Sequence, residues 1–199
     1  MNRREFLKLV AGAGLAAPSL IGQTGCATAL IPADPSTGLS LCCLSGDVTD
    51  TSALVWLSAE PDSLVLLQYG KDPRLEEYNA TNLIAVDPES DHTAKISLEG
   101  LQPATRYYYR AAVSRKMPGP IGSFVTAPRP DDDRKVTFCF SGDTRESYKP
   151  FTVMYAVCAQ QPDFFLHLGD TIYADRNGTA RQLTEFWGKY RVNRDDDAT

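Results

Sequence analysis

The run Leu98-Glu99-Gly100-Leu101-Gln102-Pro103-Ala104-Thr105-Arg106-Tyr107-Tyr108-Tyr109 limits the fold of this chain more than any other segment. A strand must end near Leu98, the backbone must turn through Gly100 and Pro103, and a second strand must begin at Arg106, because neither glycine nor proline sits well inside a sheet. The strand before the turn, Thr93 to Leu98, puts Ala94, Ile96 and Leu98 on one face and Thr93, Lys95 and Ser97 on the other. The same pattern extends from about Leu39 to Pro128. Ala53 to Leu57 reads as a strand, and Leu64 to Tyr69 as another, closed by Gly70-Lys71-Asp72-Pro73. Arg106 to Val113 and Gly122 to Thr126 follow. Turn residues recur roughly every 8 to 12 positions with no helical period between them, the rhythm of an antiparallel β-sandwich.

The Leu-x-Pro-x-Thr-x-Tyr-x-Tyr pattern from Leu101 to Tyr109 resembles the fibronectin type III fold. It predicts a tyrosine corner, in which a phenol hydroxyl ties the start of a strand to nearby backbone, with Trp56 as a core anchor. Such sandwiches carry many unrelated activities, so the pattern implies a fold and no function. His92, in Asp91-His92-Thr93, has no companion His or Cys nearby and reads as a structural or solvent-facing histidine.

Ahead of the sandwich, Arg3-Arg4-Glu5-Phe6-Leu7-Lys8 precedes a weakly apolar run from Leu9 to Ile21. Residues 1–29 resemble the twin-arginine export signal of bacteria, which predicts a periplasmic or extracellular protein with the twin-arginine machinery as a partner. Lys8, Pro18 and the short apolar run argue against a membrane span. Ala27-Thr28-Ala29 suits a signal peptidase, whereas Gly25-Cys26 resembles the end of a lipoprotein box, with Cys26 as lipid anchor. Residues 30–38, rich in Pro, Ser and Asp, read as a linker. The cysteines Cys26, Cys42, Cys43, Cys139 and Cys158 show no metal-ligand spacing, and no disulfide framework is expected. Cys42 and Cys43 point to opposite faces if they lie on a strand, and Cys139 and Cys158 read as small core residues.

After a proline- and charge-rich linker at 129–134, the pattern changes class. Val136 to Phe140 is a short apolar strand of the kind buried in a parallel sheet, and Asp163 to Leu168 is a second. Between them Phe151, Met154, Tyr155 and Cys158 lie at helical spacing. The unit is β-α-β, so the strands should run parallel. Each strand leads into Gly-Asp, at Gly142-Asp143 and at Gly169-Asp170, so both aspartates should stand on one rim of the sheet, where open α/β folds bind ligands. One such pair is ordinary turn chemistry; two at the ends of one β-α-β unit, with Tyr173 three residues past Asp170, are not. Carboxylates converging on one rim repel unless a cation lies between them. Oxygen ligands of this type suit a hard trivalent metal such as iron(III). The net charge of -5 argues against nucleic acid as a specific partner, but not against a phosphate ester, because bound metals supply local positive charge.

Phe140-Ser141-Gly142-Asp143 followed by Leu166-His167-Leu168-Gly169-Asp170-Thr171-Ile172-Tyr173 resembles the calcineurin-like metallophosphoesterases, and most closely their alkaline phosphatase D family. The export signal, a sandwich containing Ser45-Gly46-Asp47-Val48-Thr49 and the second Gly-Asp motif match that family in order. The resemblance implies that Asp143 is a terminal ligand of a first metal, that Asp170 bridges two metals, and that Tyr173 binds the first, iron(III). The second metal would be calcium or another divalent ion. A metal-activated hydroxide would hydrolyse a phosphate ester substrate. Some relatives carry a cysteine at the first ligand position, whereas Gly142-Asp143 resembles the purple acid phosphatases, which leaves the metal pair and the choice of monoester or diester open. Arg145 reads either as a phosphate contact or as a surface arginine. His167 is expected to be packed rather than ligating.

The resemblance also implies later ligands, an Asn-His motif and a Gly-His-x-His motif. The chain has only His92 and His167, so neither motif follows Asp170. Residues 135–199, with a helix over Ala180 to Arg191 before Asp195-Asp196-Asp197, are expected to be the N-terminal part of a metallophosphoesterase domain, inactive alone. The alternative is a non-catalytic secreted β-sandwich binding module with a remnant α/β segment. The closely spaced rim residues, which drift would erode, favour the enzyme. The sequons Asn79-Ala80-Thr81 and Asn177-Gly178-Thr179 are read as chance.

Overall fold

A computed structural model describes residues 41–113 and 118–194. The predicted signal at 1–29 with Cys26, the linker at 30–38 and the run Asp195-Asp196-Asp197 lie outside the described residues.

Eight strands build the sandwich: β1 (Cys42–Gly46), β2 (Ala53–Ser58), β3 (Leu64–Gly70), β4 (Asn79–Ala80), β5 (Ile84–Ala85), β6 (Thr93–Leu98), β7 (Arg106–Val113) and β8 (Gly122–Val125). One sheet has the order β1-β2-β6, and the other β4-β3-β7-β8 with β5 also paired to β3; every pairing is antiparallel. Val55 opposite Ile96 and Ala53 opposite Leu98 fill one inner face, and Val65, Leu67 and Ala111 help fill the other. Gly122 is required where β8 crosses the Tyr109 ring, since a Cβ there would lie 2.8 Å from that ring.

The tyrosine corner forms as predicted. The Tyr107 hydroxyl accepts the Gln102 N–H at 2.9 Å, and the buried Thr126 hydroxyl donates to Gln102 O at 2.6 Å. Trp56, in contrast, is not a core anchor. Strand alternation turns Val55 and Leu57 inward and Trp56 outward, where the Arg194 guanidinium lies 4.4 Å over its ring. Cys42 and Cys43 do face opposite ways: Cys43 packs against the core, while Cys42 feels the Arg194 charge on the outer face.

Beyond the sandwich come β9 (Phe138–Ser141), helix α1 (Val153–Ala159), β10 (Phe164–His167) and helix α2 (Leu183–Arg194). β9 and β10 pair in parallel, from Phe164 opposite Phe138 to His167 opposite Ser141. The expectation that these strands are buried on both faces is corrected. Phe140 and Leu166 are 62% and 47% exposed, and the rings of Phe138 and Phe164 stack on the same open face at 5.1 Å. Only the face carrying Cys139, Phe165 and His167 is half-buried among the described residues. α2 begins later than the apolar pattern indicates because the Glu185 carboxylate accepts the N–H groups of Arg181 and Gln182, capping the first turn.

The stretch between the sandwich and the parallel strands is tied at both ends. Arg134 donates to Ala104 O at 3.2 Å on the sandwich side and pairs with Asp163 at 3.3 Å beside the start of β10.

Candidate metal centre

Both Gly-Asp loops leave the same end of the parallel pair, as their register demands. They then bond to each other: Leu168 N–H to Ser141 O at 2.8 Å, Asp143 N–H to Gly169 O at 3.3 Å, and Thr144 N–H to Asp170 O at 3.1 Å. This close approach explains Gly142, where a Cβ would meet Gly169 O at 3.3 Å. Gly169 turns through φ +109, while Asp143 and Asp170 adopt the left-handed region at φ +62 and +54. Both aspartates are exposed on an open rim.

Tyr173 folds back onto that rim, and its hydroxyl donates to Asp143 Oδ1. The Asp143 bond first, then partial burial, then the Asp170 carboxylate hold its hydroxyl well above the usual phenol range. One hydroxyl proton therefore lies among three oxygens, two of them from carboxylates. A cation would take over the same task, and hard oxygen donors of this kind suit iron(III), calcium or a similar ion. The three sequence-predicted residues Asp143, Asp170 and Tyr173 are therefore brought together. Among the described residues no three His, Cys, Asp or Glu side chains converge on a metal site; this group consists of two carboxylates and a phenol.

Arg145 stands beside them. Its guanidinium carbon lies 5.9 Å from the Tyr173 ring centre and 5.7 Å from that of Tyr148, and its Nε is buried with no hydrogen-bond partner. Glu146, next in sequence, accepts from the Asn177 carboxamide at 2.9 Å and so joins the first loop to the segment after Tyr173.

His167 supports the rim without facing it. Its Nδ1 accepts the Gly169 N–H at 3.2 Å, which places the ring proton on Nε2, 3.2 Å from Thr144 Oγ1. The Thr144 hydroxyl then donates to Thr171 O at 3.1 Å. The Asn193 carboxamide on α2 donates to both Thr144 O and Thr171 O. Sequence reasoning singled out neither Thr144 nor Asn193: one lies next to a recognised aspartate, and the other carries no signal at all. His92 is not brought to the rim; it stays before β6 with its Nδ1 buried and unpartnered. A concavity lined by Gln102, Pro103, Ala104, Arg129, Asp131 and Asp132 contains none of the rim residues.

The model of the PhoD-like phosphatase N-terminal domain matches residues 25–128. Alkaline phosphatase D of Bacillus subtilis (strain 168) is 25% identical over 190 residues, which cover 86% of this chain and 32% of that protein. The solved structure of PhoD superposes with a TM-score of 0.69 at 21% identity, covering 78% of this chain and 35% of that one. The chain therefore spans about a third of the length of the relatives it matches.

Proposed function

Because the chain belongs to the PhoD-like phosphatase family, we propose that it is the N-terminal part of an exported, metal-dependent phosphoesterase acting on phosphate esters. The observation that carries this reading is the convergence of Asp143, Asp170 and Tyr173 on one rim, at the ends of two parallel strands. Asp143 and Tyr173 would hold iron(III), and Asp170 would lie between it and calcium or another divalent ion. Bound metals supply the charge that makes water an effective nucleophile at neutral pH and that offsets the phosphate's own charge.

The chain's own residues do the rest. Tyr173 would hold a metal through its phenol oxygen as a phenolate, its proton passing to solvent, and the Thr144–His167 pair keeps the loops from spreading. Arg145, whose guanidinium carbon lies 5.9 Å from the Tyr173 ring centre, would offer its charge to a non-bridging oxygen of the substrate phosphate. The open apolar face of β9 and β10 is the kind that further elements of a metallophosphoesterase domain cover, and it supports reading residues 135–199 as the start of one. The twin-arginine signal at 1–29 would take the protein across the membrane folded, with its metals already loaded.

The test is spectroscopic. The protein expressed from its whole reading frame and loaded with iron(III) should show visible phenolate-to-iron charge-transfer absorbance, and Tyr173→Phe should abolish it. Asp170→Ala should lose both metals and Asp143→Ala mainly one. A spectrum unchanged by Tyr173→Phe would remove Tyr173 from the centre.

A further inference from the structure

We propose that Asn193 is a positioning residue for the metal rim, and that the sandwich sets its place through α2. The importance of this for catalysis rests on the reading of Asp143 and Asp170 as metal ligands; the geometry and its test do not. Helical spacing divides the last turns of α2 into two working faces. Lys189 and Asn193, four apart, face the rim loops. The Lys189 ammonium donates to Arg176 O and Asn177 O, just past Tyr173. Asn193 is only 8% exposed, and its one NH2 group donates to Thr144 O and Thr171 O. Those residues directly follow Asp143 and Asp170. Because the two hydrogens of a carboxamide have a fixed separation, one side chain fixes the spacing of both loops. Aspartate has no hydrogen to donate in its ionised form, and leucine has none at all.

Arg191 and Arg194, three apart, face the sandwich. Arg191 Nε lies 3.4 Å from Oδ2 of Asp91, which is buried, and the Arg194 guanidinium covers the outward-turned ring of Trp56. Burial lowers the pKa of Arg194 from the usual guanidinium value, and the nearby Asp91 carboxylate opposes that. Trp56 is fixed by β2, between β1 and β6, so it offers α2 a rigid seat. A continuous path thus runs from a sandwich strand, through a cation stacked on an indole, along a single helical turn, to the carbonyls beside both metal-ligand candidates. On this account the sandwich is a jig for the metal rim.

The test is hydrogen–deuterium exchange in the whole chain without added metal. The N–H groups of Asp143 and Thr144 bond across to Gly169 O and Asp170 O, so they report whether the loops stay together. Asn193→Ala should speed exchange in peptides spanning 141–146 and 167–173 by about tenfold, the consequence of losing two hydrogen bonds. Arg194→Gln, a milder change that leaves Trp56 in place, and Trp56→Ala should speed the same peptides while β3 and β7 remain protected. Acceleration of less than about twofold in Asn193→Ala would overturn the positioning role. Equal acceleration throughout β3 and β7 would also overturn it, since that is general destabilisation. A response to Asn193→Ala but to neither sandwich-side variant would overturn the role of the sandwich. Failure of the wild-type protein to bind iron would sink the proposed function and leave these exchange results standing.

Discussion

Asp163 controls whether the two aspartates reach the rim at the same height. Its Oδ2 accepts the Thr137 N–H at 2.8 Å, its own N–H donates to Thr137 O at 2.7 Å, and its Oδ1 receives Arg134 at 3.3 Å. These bonds set the first rung of the β9–β10 ladder, and with it the register that ends with His167 opposite Ser141. A slip of one residue would displace Asp143 from Asp170 by about 3.3 Å and invert a whole face. Asp163→Ala removes a charge-assisted bond to a backbone N–H, worth roughly 1.5–3 kcal/mol where buried, and an ion pair worth roughly 0–1 kcal/mol. With the Asp163 side chain 25% exposed and Thr137 exposed, solvent screens both, and the expected loss is about 1–2 kcal/mol. Asp163→Asn keeps an oxygen for Thr137 and gives up the charge, so it should cost about 0.5 kcal/mol. The assay is urea unfolding followed by the fluorescence of Trp56 and Trp187, comparing midpoints at constant slope. Equal costs for the two variants, or less than about 0.3 kcal/mol for Asp163→Ala, would show that this carboxylate does not hold the strand starts.

Two further expectations concern the sandwich. Tyr107→Phe leaves the Gln102 N–H without its acceptor in a corner where Tyr107 is 6% exposed, and should cost about 1–3 kcal/mol in the same unfolding experiment. The Asp72 carboxylate accepts backbone N–H groups of Arg74, Glu76 and Glu77, and Asp87 accepts the Ser90 hydroxyl and the Glu89 N–H. Led by Arg74 in the first case and Ser90 in the second, these bonds hold both carboxyls below their ordinary value of 3.8. Folded values below unfolded ones mean that the stabilisation is complete above that value and is lost as pH falls through the lower folded ones. The thermal midpoint should therefore be flat above about pH 5 and drop below about pH 4, less steeply in Asp72→Asn with Asp87→Asn.

Much of the sandwich is legible because its determinants are local. The alternation of Thr93 to Leu98 appears directly as burial, with Ile96 and Leu98 inside and Lys95 and Ser97 outside. The Leu-x-Pro-x-Thr-x-Tyr pattern forms the corner it predicts. β4 and β5, two residues each, are too short to show any period. Trp56 is misread when a fold-level expectation overrides the strand's own alternation, since Val55 and Leu57 cannot both face inward with Trp56 beside them. At the rim, Asp143 and Asp170 are legible because parallel register converts two strand ends into one edge. Asn193 is not, because a side chain that binds only backbone carbonyls needs no partner of a given type and leaves no pattern. Arg134 lies in a charge-rich stretch that reads as linker, yet it bonds to both neighbours.

A left-handed aspartate marks nothing by itself. Asp47, Asp62 and Asp91 adopt the same region in sandwich turns, where a short polar side chain tolerates it. Asp143 and Asp170 differ because two such residues lie side by side, cross-bonded through Thr144 N–H to Asp170 O, each beside a glycine that lacks the steric penalty. Glycine at either position would relieve strain on the order of 1 kcal/mol at no loss of backbone bonding. It would also remove the two carboxylates that act on the Tyr173 hydroxyl. Some of that relief is offset by glycine's backbone entropy and by the lost Tyr173–Asp143 bond; on the proposed reading the aspartate oxygens serve as metal ligands. The loops around them are kept in shape by hydrogen bonds of His167, Thr144 and Asn193 to loop backbone and to one another. These bonds keep the frame closed around the rim carboxylates, one of which accepts the Tyr173 hydroxyl, as a preorganised metal site would require.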